Sequence, residues 1–197
     1  MPLVFKCLAL SMSIAAAFAA DKPAPFRPAP AGSMAHRQTN EQVTIGVEAC
    51  TTADRTKAAF GKLDPNEYGI LPVLVVIQND TGKALKLNGM RVQYALSNKR
   101  VEAIPASEVK YMRGPSRPNP MGGPAGAIGK ALEKKNPLTA AEIETRAFIA
   151  QLIPPGQTAS GFFYFEASLG RGATILVNGL SEAGTGRELF YFEVPLD

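Results

Sequence analysis

The segment Ile70-Leu71-Pro72-Val73-Leu74-Val75-Val76-Ile77 constrains this 197-residue chain more than any other. It is an unbroken apolar run rich in β-branched residues, far shorter than the ~20 residues a membrane-spanning helix needs. Such a run suits a strand covered on both faces. Other segments read as partners for it. Val43, Ile45, Val47 and Ala49 alternate with polar or small residues, as a half-buried strand requires. Residues 51–62 predict a short helix, capped near Thr52 or Asp54 and stopped by Gly61.

Asn79-Asp80-Thr81-Gly82 reads as a turn. Leu85 and Leu87, then Asn88-Gly89, then Met90, Val92, Tyr94 and Leu96 predict a hairpin or a bulged long strand, with a weaker strand over residues 101–104. Thr139-Ala140-Ala141-Glu142 has the spacing of a capping box, and Ile143, Ala147 and Ala150 share one helical face. A helix over residues 140–151 is therefore expected, ending before Pro154-Pro155-Gly156. Late strands follow at residues 160–167, 174–178 and 188–194. Many short strands separated by turn signals predict a mostly β fold, a sandwich or barrel with one or two short helices.

LPVLVVIQNDTGKALKLNGMRVQY and the later IPPGQTASGFFYFE resemble the immunoglobulin-like, telokin-like antiparallel β-sandwiches of secreted bacterial proteins of unknown function. In those domains a covered strand ends in an Asn-centred turn, and a Pro-Pro-Gly turn leads into a Gly-x-x-x-Phe strand. The likeness covers residues 70–104 and 152–195 and implies no catalytic residues.

The chain opens with Lys6, an apolar run over residues 7–18 and small residues at Ala17 and Ala19, the pattern of an export signal cleaved after residue 19. Cys7 precedes the apolar run, where a lipid-modified cysteine would follow it. Removal of the signal leaves Cys50 as the only cysteine, with no internal disulfide, and it is expected as a small buried hydrophobe at a strand end. Prolines at 23, 25, 28 and 30 predict a disordered leader over residues 20–41, without core contacts. One domain, residues 42–197, is expected beyond it, soluble in its mature form and periplasmic or extracellular.

Residues 108–137 form a Gly/Pro-rich insertion containing GGPAGAIGKA, which superficially suggests a phosphate loop. A working loop needs G-x-x-x-x-G-K-[ST], and here Pro124 replaces the first glycine while Ala131 replaces the metal-binding hydroxyl. The sole histidine, His36, rules out Ser-His-Asp, Cys-His and His-cluster zinc sites within one chain, and Met34 with His36 makes at most a weak soft-metal pair. Glu142 and Glu144 fall on different sides of a helix, so no paired carboxylates stand out. No cofactor, metal or enzymatic activity is expected.

Charge and aromatic patterning provide the candidate contact residues. Lys110, Arg113, Arg117, Lys130, Lys134 and Lys135 stand against Glu133 alone, a net +5 over residues 110–135 in a chain whose total is +4. That segment is either a solvated loop or a contact for anionic glycan, lipid or an acidic partner. Tyr111 is its only aromatic, which argues against nucleic acid. On the two aromatic strands, Tyr164 and Tyr191 lie opposite the faces expected to be core, either exposed for binding or covered by the helix. These features favour an exported, non-enzymatic binding or assembly module of the bacterial envelope. The alternatives are a structural accessory domain of a secreted complex and an enzyme without a sequence signature.

Overall fold

The computed structural model describes residues 26–112 and 136–196. The expected export signal, the glycine-rich stretch and most of the basic insertion lie outside these residues. Within them the fold is mostly β, a sandwich of antiparallel sheets with a few short helices.

The apolar run becomes β3 (Leu71–Asn79), in which every residue but Gln78 is buried. It is central in a sheet ordered β1 (His36–Asn40), β2 (Val43–Ala49), β3 and β8 (Thr158–Phe165). Leu71, Val73, Val75 and Ile77 face the core shared with a second sheet, ordered β11 (Phe192–Pro195), β9 (Thr174–Asn178), β5 (Arg91–Leu96) and β6 (Lys99–Glu102). Val92, Tyr94, Ile175, Val177, Phe192 and Val194 meet them from that sheet. Ile70, Leu74 and Val76 face the opposite way, into a second core shared with Phe60, Val109, Leu138 and Ile143. Helices α1 (Ala53–Phe60), α2 (Ala106–Val109) and α3 (Ala141–Thr145) form this outer layer. A strand apolar on both faces thus receives a sheet on one side and helices on the other, each fully buried large side chain contributing about 2 kcal/mol.

The helix expected over residues 51–62 forms as α1, with Thr52 accepting from the Arg55 amide and Gly61 ending it at φ 67°. Cys50 is buried among the helix-side residues, and burial pushes its thiol up to about 12, so it has little thiolate character. Asn88-Gly89 does turn the chain, but not into a hairpin. β4 (Leu85–Lys86) pairs with β7 (Leu152–Ile153) and β10 (Ser181–Glu182) in a small third sheet, while β5 joins the second. The turn hands the chain from one sheet to another.

The helix expected over residues 140–151 is only α3, and Thr139 does not cap it; its hydroxyl donates to the Asn136 carbonyl instead. The chain leaves the helix because β8 offers an unpaired edge. The Phe162 amide donates to the Arg146 carbonyl at 2.8 Å, and the Phe148 amide donates to the Phe162 carbonyl at 3.1 Å. Gly161 permits this approach, since a Cβ there would lie 2.4 Å from the Phe148 Cα. Ile149 is left 81% exposed.

The expectation of a disordered leader over residues 20–41 is corrected for its described part, residues 26–41. His36–Asn40 is the edge strand β1, paired residue for residue with β2 from His36↔Val47 to Asn40↔Val43. Ala31 and Met34 are buried against Gly46, where any larger residue would strike the Met34 sulfur, and the Phe26 ring packs 5.4 Å from that of Phe162. Proline density hid a strand that contributes few apolar side chains of its own but completes the sheet edge. The insertion boundary near 108 also shifts, because Val109 is fully buried and Asn136 donates to the Lys110 carbonyl.

Asn79, at the end of β3, is fully buried and ties two turns together. Its amide nitrogen lies within 2.8–3.0 Å of the Lys83, Ile153 and Pro154 carbonyls, and its oxygen accepts from the Thr81 amide and hydroxyl. Its backbone carbonyl accepts from Gly156 at 2.7 Å, which locks in the Pro-Pro-Gly turn before β8.

Two stability measurements follow from this architecture. Asn79→Ala strands buried carbonyls and should cost about 3 kcal/mol in urea unfolding, against roughly 1 kcal/mol for Thr81→Ala; a cost under about 1 kcal/mol for Asn79→Ala would show that strand pairing alone holds the turns. Deleting residues 26–41 should lower the melting temperature by at least about 5 °C, since it removes a strand and buried contacts. An unchanged midpoint would mean that β1 is dispensable.

Candidate functional site

The outward residues of the second sheet line up across its strands by the antiparallel register. Gln93 on β5 is opposite Leu176 on β9, which is opposite Glu193 on β11, and Gln93 is also opposite Glu102 on β6. A neighbouring row runs from Arg100 through Ala95 to Thr174. With Asn178 and Tyr191 at the rim, Gln93, Leu176 and Glu193 of the first row and Arg100, Ala95 and Thr174 of the second line an open concavity of roughly 600 Å3. The sheet's inward residues are all spent on the core, so this face is free to present polar groups.

The rim is built with care for position. Tyr191 is 61% exposed and Phe190 72% exposed, although both are large aromatics. Residues of β1 and its turn hold their backbone: Asn40 donates to the Tyr191 carbonyl at 3.4 Å, Gln38 accepts from the Glu193 amide at 2.7 Å, and Glu41 accepts from the Phe190 amide at 3.4 Å. The segment expected to be a leader therefore fixes the aromatic pair.

Behind the pair is an ionic node. Arg187 reaches Glu41 at 2.5 Å and Glu182 at 2.7 Å, while Lys83 reaches the other Glu182 oxygen at 2.8 Å and Thr185 donates to it at 2.7 Å. The hydrogen bond from Lys83, followed by those from Thr185 and Arg187, pulls the Glu182 carboxyl down to about 2. Glu41 is lowered chiefly by its bond to Arg187, and Arg187 is raised chiefly by its bond to Glu182. The node connects the β3–β4 turn, β10 and the β1–β2 turn to the loop that carries Phe190 and Tyr191.

The sequence-level candidates are separated by the fold. Tyr164 is buried, its hydroxyl donating to the Ile143 carbonyl at 2.8 Å, and burial pushes its ionisation upward. It is therefore removed as a contact residue: α3 and the chain after it cover its face of β8. Tyr191 immediately precedes β11 at the rim of the other sheet, so the two tyrosines form no common patch. Lys110 is 3.7 Å from Glu144 and 5.5 Å from the Tyr111 ring centre, so its charge is partly engaged. Arg113, Arg117, Lys130, Lys134 and Lys135 lie outside the described residues. Gln93, Arg100, Leu176 and Asn178 were not singled out from the sequence. Their period-two spacing was visible, but only the register shows that they share one row.

Among the described residues no group of His, Cys, Asp or Glu is placed to hold a metal ion, and no helix is long and apolar enough to cross a membrane. What the concave face offers is hydrogen-bond donors, acceptors and one exposed ring. No protein-family model and no curated protein matches the sequence. Among solved structures, a functionally unknown protein from Listeria monocytogenes EGD-e aligns with a TM-score of 0.36 at 12% identity, covering 81% of this chain and 80% of that one.

The ionic node makes stability depend on pH. Because the folded Glu182 carboxyl lies below its ordinary value near 4.5, its contribution is complete above that value and is lost as pH falls from about 5 toward 2. Melting temperature should thus fall more steeply over this window in the wild type than in Glu182→Gln. Parallel curves would show that the node does not act through this carboxylate.

Proposed function

We propose that this protein is an exported, non-enzymatic binding module of the bacterial envelope, with the outer face of the β11-β9-β5-β6 sheet as its contact surface. The reading rests on one observation above all: a concave, largely polar sheet face is bordered by an exposed tyrosine, Tyr191, in a segment whose Tyr191 carbonyl is held by Asn40 and whose Phe190 and Glu193 amides are held by Glu41 and Gln38. Exposed aromatics held rigid lose little entropy on contact, which is why they dominate binding surfaces. The amino-terminal pattern of Lys6, an apolar run and small residues supports export. The basic residues 110–135 supply a diffuse attraction toward anionic envelope components, which increases encounter with them while leaving the specific contact to the sheet.

Co-sedimentation with isolated bacterial envelopes tests this. Leu176→Arg places a long charged chain in the middle of the concavity without touching the core, and should reduce the bound fraction about tenfold with the melting temperature unchanged. Replacing residues 113–135 with a short Gly/Ser linker should slow association at low salt only. If instead Leu176→Arg binds normally and roughly 1 M salt, with its Debye length of about 3 Å, abolishes binding, the basic segment is the contact and the sheet face is not.

A further inference from the structure

The chemistry of the concave face specifies its ligand further, given the reading of that face as the contact surface: we infer that it binds a neutral, polyhydroxylated chain, a glycan, with one sugar ring stacked on Tyr191. Charge is the first discriminator. Arg100 and Glu193 are the cation and the carboxylate that line the concavity, and they cancel. Neither forms an ion pair with a described residue. A phosphate-rich polymer or lipid headgroup, carrying several negative charges, would be favoured by an excess of cations that this face does not have.

Polarity is the second. Protein interfaces place an apolar, fully desolvated core at their centre. Here the centre is Leu176 alone, half-buried, flanked in its row by the Gln93 amide on one side and the Glu193 carboxylate on the other. A partner protein docked on this face would have to desolvate amides and a carboxylate around a single leucine.

The groups that are present match a sugar chain. The side chains of Gln93 and Asn178 each carry a donor and an acceptor in one plane, and Thr174 adds a hydroxyl that does both, so vicinal hydroxyls of either polarity can be satisfied. Gln93 is aligned by donating to Glu102, which leaves its carbonyl oxygen for a ligand hydroxyl. A pyranose ring has an apolar face of C–H groups, and the exposed face of the tyrosine is the complementary surface. The roughly 600 Å3 of the concavity is of the size that takes a ligand of several rings rather than an ion.

Tyr191 is a contact residue, and Asn40, Glu41 and Gln38 are positioning residues that act through the Tyr191 carbonyl and the Phe190 and Glu193 amides respectively.

The test uses the folded mature chain, with chitotetraose, cellotetraose and maltotetraose as neutral probes and dextran sulfate as the anionic one, followed by two-dimensional NMR of the backbone and side-chain amides. At least one neutral tetrasaccharide should shift the side-chain amide signals of Gln93 and Asn178, saturating at or below about 10 mM. Tyr191→Ala should weaken that binding at least about tenfold, while Tyr191→Phe, which keeps the ring, should retain it. Asn178→Leu, an exposed substitution, provides a second variant with its fold intact. No shift with any neutral probe at that concentration overturns the inference, as does binding indifferent to both Tyr191→Ala and Asn178→Leu. Dextran sulfate shifting the same signals in place of the neutral chains also overturns it. The envelope assay separates the two levels: association that depends on Leu176 without glycan binding removes the glycan and keeps the contact face, whereas association indifferent to Leu176 removes both.

Discussion

The burial of β3 on both faces is the constraint on which the remaining structure depends. Leu71, Val73, Val75 and Ile77 point one way and Leu74 and Val76 the other, and neither set tolerates water. The second sheet covers the first set; α1, α2, α3 and the turn at Ala31–Ser33 cover the second. That division frees the outer face of the second sheet. Because helices are committed to the far side of the molecule, no described residue covers the outer polar face of the sheet carrying Gln93, Leu176 and Glu193. The location of the candidate site is thus a consequence of where the apolar residues had to go.

Asn79 and the Glu182 node divide the task of holding the ends. A side-chain amide at the end of a fully buried strand must satisfy itself internally, and Asn79 does so by bonding carbonyls from segments about 75 residues away in sequence. It joins the β3–β4 turn to the turn that launches β8. The Arg187–Glu182–Lys83 cluster is nearer the surface and ion-paired, so its contribution is sensitive to pH and salt where that of Asn79 is not. The connections at the strand ends are held in one place by a neutral buried hub and in another by a screened ionic one.

The edge strand β1 serves both the first sheet and the rim of the candidate site. Its backbone extends the first sheet, while its side chains Gln38 and Asn40 reach across to β11 and complete the seam between the two sheets. Side-chain bridges of this kind satisfy an exposed strand edge without extending a ladder, which discourages edge-to-edge association. The same bonds fix the backbone at Tyr191 and Glu193.

Much of the fold was legible in the sequence because local signals agreed with it. The run 70–77 announced its two-sided burial, the Val43–Ala49 alternation its strand, Thr52 and Gly61 the limits of α1, and the alternation in GFFYFE its two faces. These are properties of period and capping, which a chain determines within a few residues of itself. Tertiary structure decided the rest. Capping-box spacing and apolar periodicity favoured a longer helix after Thr139, but the unpaired edge of β8 drew residues 146–148 into backbone bonds. The prolines before residue 31 suggested a free leader, but the edge of β2 required a partner and His36–Asn40 supplied it. Tyr164 and Tyr191 looked equivalent along the chain, yet one is sealed beneath α3 and the other stands at a rim, because the two strands belong to different sheets with different neighbours. The row from Gln93 to Glu193 exists only through strand register, a relation between distant segments that no local pattern encodes.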